Sequence, residues 1–93
     1  MRTISFGSRF KKDFKRESRG VHGKTLVAHL KTVTDILRND EPLPARYADH
    51  ALSGKWQGDR DCHLKPDLVM IYRKPDERTL QLVRLGSHSE LSL

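Results

Sequence analysis

Leu68-Val69-Met70-Ile71-Tyr72 is a run of five apolar residues set between two turn signals, Pro66-Asp67 and Lys74-Pro75-Asp76-Glu77. It is too short for a buried helix and has no polar face, so it predicts a central strand covered on both sides. Such a strand needs neighbours. Leu52 to Gln57, Asp61 to Lys65 and Thr79 to Leu85 supply them, as short runs broken by turn residues. The chain has 93 residues, 35% hydrophobic and 32% charged. Those proportions allow one small core under a heavily charged surface, hence a single domain over residues 1–93.

The amino-terminal half has a different period. After a short strand at Arg2 to Ser5, Phe6, Phe10 and Phe14 recur every four residues, which places them on one face of a helix. Ser18 to Gly23 reads as a turn, and Leu26, Leu30, Val33 and Leu37 define a second helix. That helix should stop near Asn39, a residue that tolerates a left-handed end, before Pro42 and Pro44 impose an extended connection. The expected fold is α+β: an N-terminal strand and a helical hairpin packed on a largely antiparallel twisted sheet, in the order β-α-α-β-β-β-β.

Eighteen Lys and Arg against twelve Asp and Glu give a net charge of +6. Residues 1–20 hold seven of the basic side chains and only Asp13 and Glu17 of the acidic ones. The first helix is therefore a basic amphipathic element, suited to a polyanion or an acidic protein or simply solvated. Cys62 is the only cysteine, so neither an internal disulfide nor a thiolate zinc motif is available. No apolar run approaches the roughly 18 residues of a membrane span, and a cytoplasmic protein with no membrane contact is expected.

Five histidines divide into His22 and His29 in the helical half and His50, His63 and His88 around the sheet. The first two read as ordinary helix-surface residues. The second three stand at or near strand ends, where side chains distant in sequence can meet on one edge of a sheet, and Asp67 lies in the turn after His63. Together they suit metal-free RNA cleavage. One imidazole takes the proton of a ribose 2′-hydroxyl, the 2′-oxygen attacks the adjacent phosphate, and a second imidazole protonates the departing 5′-oxygen. Lys55, Arg60 and Arg84 are candidates to stabilise charge on the phosphate. Trp56 either packs on the sheet or stacks on a base. Two histidines and a carboxylate can also form an open metal triad, but helical metal-ligand spacing is absent and no cofactor is called for.

The stretch from Asp49 to Asp67, written DHxLxGxWxGxRDxHxxPD, followed by Ile71-Tyr72 and by Arg84-Leu85-Gly86-Ser87-His88, resembles the YafQ-type toxins of the RelE/ParE superfamily. The resemblance covers nearly the whole chain, with its weight on residues 47 to 88. It implies the toxin of a type II toxin–antitoxin system, a ribosome-dependent endoribonuclease that cleaves translated mRNA in the A site. The implied partners are a cognate antitoxin protein, the 70S ribosome and mRNA, with DNA contacted only through the antitoxin complex. It assigns His50, His63, Asp67 and His88 to the active site, with His88 as general acid and the other three on the base side, and favours Arg84 as the phosphate-stabilising cation. One departure stands out: Leu68 and Leu91 occupy places where the family pattern carries aromatic residues. The competing readings are a toxin of the same fold that binds a protein target such as gyrase, which would not need those four residues together, and a plain nucleic-acid-binding module.

Overall fold

The computed structural model describes residues 1–93. Its elements are β1 (Thr3–Phe6), α1 (Ser8–Ser18), α2 (Gly23–Arg38), β2 (His50–Ala51), β3 (Arg60–Lys65), β4 (Leu68–Arg73), β5 (Thr79–Gly86) and α3 (His88–Leu91), with single 3₁₀ turns at Ala45–Tyr47 and Gly54–Trp56. One five-stranded sheet runs in the order β1-β5-β4-β3-β2. β4 is central, as its unbroken apolar sequence requires, and Leu68 to Tyr72 are all buried. Every pairing is antiparallel except that of β1 with β5, which the helical hairpin makes possible by carrying the chain across one face of the sheet.

That face holds the main core: Phe10, Leu26, Val33 and Leu37 from the helices meet Cys62, Met70, Tyr72, Leu80 and Leu82 from the sheet. Each such fully buried aliphatic or aromatic side chain contributes roughly 1.5–3 kcal/mol relative to exposure. A smaller cluster lies apart from it, where Val69 and Ile71 meet Leu91, with Leu52, Trp56 and Val83 around them. Alternation along β4 accounts for the division, since Val69 and Ile71 project opposite to Met70 and Tyr72.

Four expectations need correction. Leu52 to Gln57 is not a strand: extended structure is limited to His50–Ala51, and Gly54 (φ +66°) and Gly58 (φ +95°) turn the chain through left-handed conformations that end it. The left-handed residue after α2 is Asp40 (φ 57°) rather than Asn39. Phe6 ends β1 instead of starting α1, so the phenylalanine row crosses two elements. Its ring centroids are spaced 6.0 and 6.3 Å, and only Phe10 is buried. Finally, the chain closes with a short helix, α3, that hydrophobic period could not reveal in four residues.

Candidate active site

The β2–β3 register sets His50 directly opposite Asp61. Asp61 and His63, two residues apart on β3, share a face. His63 pairs with Val69 on β4, and Val69 with Gly86 at the end of β5, so the chain leaving β5 brings His88 back over the same row. The ring centroids of His63 and His88 are 4.9 Å apart in an edge-to-face arrangement. His50, His63, His88 and Asp61 line one open cleft of about 590 Å³, floored by Leu52 and Trp56 and rimmed by Lys55. Thus β2, β3 and the helix that follows β5 deliver the three histidines to one place.

Each outer histidine is held by its Nδ1. In His50 this atom lies 2.9 Å from the Ala48 carbonyl oxygen and 3.0 Å from Asp61 Oδ1. The Ala48 carbonyl is brought there by a left-handed turn (φ 49°) that alanine adopts uncommonly. Two acceptors at Nδ1 require the proton there, and a neutral ring then carries its lone pair on Nε2. A single N–H serves one acceptor well, and the geometry favours the carbonyl, leaving Asp61 Oδ1 buried without a hydrogen bond. Burial pushes the Asp61 carboxyl above its ordinary range, while His50, His63 and His88 pull the other way. In His88, Nδ1 lies 3.3 Å from Asp67 Oδ1, an exposed contact that orients the ring more than it stabilises the fold. No three His, Cys, Asp or Glu side chains converge as metal ligands would.

The other candidates fare differently. Lys55 stands 5.4 Å from the centre of the Trp56 ring, beside the cleft. Trp56 packs one face on the small cluster and donates its Nε1–H to the Leu91 carbonyl at 3.2 Å, so it is both a packing residue and part of the cleft wall. Arg60 is on the opposite side of the sheet. It pairs in register with Tyr72, and both reach Asp49, Arg60 Nε at 3.2 Å and the Tyr72 hydroxyl at 2.6 Å. Strand alternation is the reason, because residues 60 and 61 must face apart. Arg84 is committed too: its Nε donates to buried Asp13 at 2.7 Å, and only 12% of its side chain is exposed, so it is not a free phosphate ligand. Leu68 and Leu91 are fully buried, one in each cluster, so the departure from family aromatics leaves packing residues there.

Asp61 was missed among the sequence candidates, because its alternation with His63 becomes informative only once β3 is known to turn that face toward the cleft. His29, Arg46 and Lys65 were missed as well. With Tyr47, His63 and Pro66 they line a second cavity of about 580 Å³ on the other side of His63.

This arrangement can be compared with known proteins. Residues 2–93 match the family described as the bacterial toxin of type II toxin–antitoxin systems, YafQ. The chain belongs to the YafQ toxin family. It is 36% identical over 90 residues to the mRNA interferase toxin YafQ of Escherichia coli K12, covering 97% of this chain and 95% of that one. The crystal structure of YafQ from E. coli BL21(DE3) superposes with a TM-score of 0.82 at 36% identity, covering 98% of both chains. A metal-bound toxin from Helicobacter pylori gives 0.81 at 42%, covering 98% of this chain and 99% of that one. YafQ in the E. coli DinJ–YafQ complex gives 0.77 at 35%, covering 98% of each. The RelE-like fold and the membership of a YafQ toxin are therefore established for this chain.

Proposed function

We propose that the chain, acting as one domain over residues 1–93, is an mRNA interferase that cuts translated message in the ribosomal A site. The observation that carries this reading is the meeting of His50, His63 and His88 in one open cleft, with two of the rings held by Nδ1 so that each Nε2 is free. His50 is the base: Nε2 removes the 2′-hydroxyl proton, and the 2′-oxygen attacks the adjacent phosphorus. The P–O5′ bond breaks, His88 donates a proton to the departing 5′-oxygen, and a 2′,3′-cyclic phosphate remains. His63 stands beside His88, in edge-to-face contact with it, and lines the path of the phosphate. Lys55 is the nearest uncommitted cation to offset its developing charge. The mRNA interferase name of the E. coli relative supports the reaction class.

The partner is a cognate antitoxin, as DinJ is for YafQ in the E. coli complex. The hairpin offers a matching surface. Phe6, Phe14, Val27 and Leu30 flank an apolar groove of about 330 Å³ beside Lys11, and Phe6 and Val27 are 48% and 64% exposed. The concentration of positive charge in residues 1–20 suits an acidic amphipathic segment laid into that groove. DNA is then contacted through the antitoxin, and the toxin works in the cytoplasm where its message is translated.

The test is to induce the protein in growing bacteria beside His88→Ala and to map 5′ ends of cellular mRNA. In-frame cuts confined to translated regions, present for wild type and absent for an equally soluble His88→Ala, are expected. Growth arrest without such cuts would replace the nuclease with a toxin acting on a protein target.

A further inference from the structure

His63 lines two cavities: the cleft with His50 and His88, and the second cavity with His29, Arg46, Tyr47 and Lys65. A polymer whose phosphate is attacked beside His63 must continue past that ring, and the second cavity lies there. Its position follows from the sheet. β2 pairs only with Arg60 and Asp61, so the outer edge of β3 from Cys62 to Lys65 has no partner strand, and the cavity opens at that edge. At about 580 Å³ it falls within the roughly 300–1,000 Å³ of ordinary ligand sites.

The lining carries positive charge and no carboxylate. Elsewhere on the molecule the cations near the sheet are tied down: Arg60 to Asp49, Arg73 to Asp59, Arg84 to Asp13. Arg46 instead has its guanidinium over the Tyr47 ring, 4.7 Å from the centroid, and donates to the Tyr47 hydroxyl at 3.1 Å. A guanidinium seated over an aromatic ring still has N–H groups to offer a phosphate. The first cleft also sets a cation against an aromatic ring, the Lys55 ammonium 5.4 Å from the Trp56 centroid. One cation on an aromatic ring therefore stands in each cavity, with His63 between.

We propose that the cavity beside His63 is a second RNA subsite, in which Arg46, seated on Tyr47 and helped by Lys65, holds the phosphate one linkage away from the bond that is cut. Lys55 stays with the phosphate that is attacked, and Trp56 walls the cleft on its other side. The inference rests on the nuclease reading and names how that site would grip its substrate.

The experiment uses purified toxin on ribosomes programmed with mRNAs that carry one uncharged methylphosphonate linkage, immediately before or immediately after the cut. On natural message Arg46→Ala should raise KM about tenfold, the low end for a charge-assisted hydrogen bond in an open site, with kcat and unfolding midpoint unchanged. Arg46→Lys, which keeps the charge but not the guanidinium fork, should recover only part of the loss. On the message whose neutral linkage replaces the phosphate held by Arg46, wild type and Arg46→Ala should cut equally, while the loss caused by Lys55→Ala should be the same with either neutral linkage. The proposal is overturned if Arg46→Ala matches wild type on natural message. It is equally overturned if the loss persists in full with either neutral linkage, which would assign the phosphate to ribosomal RNA. If wild type cuts no message at all, the nuclease reading itself fails, an outcome separable from the other two.

Discussion

Replacing Asp61 by Asn should move stability and activity in opposite directions. The side chain is 3% exposed, and its Oδ1 has no hydrogen bond despite lying 3.0 Å from His50 Nδ1. An unsatisfied buried polar atom costs about 1–3 kcal/mol, more when charged. Asparagine leaves an oxygen there but removes the charge, so a gain of about 1 kcal/mol is expected, or about 4–8 °C in a domain of this size. The same change weakens the electrostatic hold on His50, and cleavage should fall about 100-fold. The pH dependence fixes the cause. Asp61 in the unfolded chain titrates near 3.8, and burial raises it in the folded one. A raised carboxyl penalises the folded state at high pH, and the penalty disappears as pH falls and the group takes up its proton. The advantage of Asp61→Asn in chemical denaturation should therefore be largest near pH 8 and absent near pH 3. A variant less stable than wild type at pH 8, or equally active, would refute the placement of a strained carboxylate behind His50.

Asp13 makes the opposite case. Burial alone would raise its pKa, but hydrogen bonds from Arg84 and the Leu85 N–H and the charges of Arg84 and Arg16 outweigh that and lower it. Asp13→Ala should cost about 3–5 kcal/mol, because Arg84 is left half-buried without a partner. For a lowered carboxyl, stability is present above the unfolded value of 3.8 and lost as pH falls through the folded one, so the deficit seen in urea melts should shrink below about pH 4. Ser87→Ala removes the capping box in which Ser87 Oγ accepts from the Glu90 N–H at 3.1 Å and Glu90 Oε1 accepts from the Ser87 N–H at 2.9 Å. It should cost about 1 kcal/mol, and activity should fall at least tenfold because His88 begins that helix; unchanged turnover would show that α3 does not set the His88 geometry.

The two helices and strands 61–65, 68–73 and 79–85 were legible from period and turn chemistry, because each buries a regular face. What was not legible depends on few residues. β2 has two residues and α3 four, too short to show any period, yet they carry His50 and His88. For α3 a signal did exist: Ser87-His88-Ser89-Glu90 has the spacing of a capping box. The four proposed catalytic residues were named from side-chain chemistry and resemblance, and the histidines among them do share a cleft. Arg60 and Arg84 are engaged by carboxylates the sequence did not place beside them, because a cation's availability depends on which carboxylate folding brings near it. Asp49 and Asp13 lie 11 and 71 residues away respectively. Asp61 hid in plain view, since a carboxylate between an arginine and a cysteine says nothing until the strand's faces are assigned.

The site's two halves differ in what holds them. Asp61 and His63 stand on β3, whose other face is locked into the main core by Cys62 and Leu64. His50 and His88 stand on the two shortest elements: β2 is held by its two-residue pairing with β3, and α3 through Leu91 in the small cluster. Trp56 is its clasp: its ring packs against the cluster while its Nε1–H holds the Leu91 carbonyl of α3, and the 3₁₀ turn it ends lies between β2 and β3. Trp56 thereby helps fix the position of α3, and with it His88, over a cluster of only three buried residues. Evenly spread stability would make fold and site fail together. Here the main core, with 13 buried residues, can persist while the cluster loosens, so the spacing of His50 and His88 is the more fragile property.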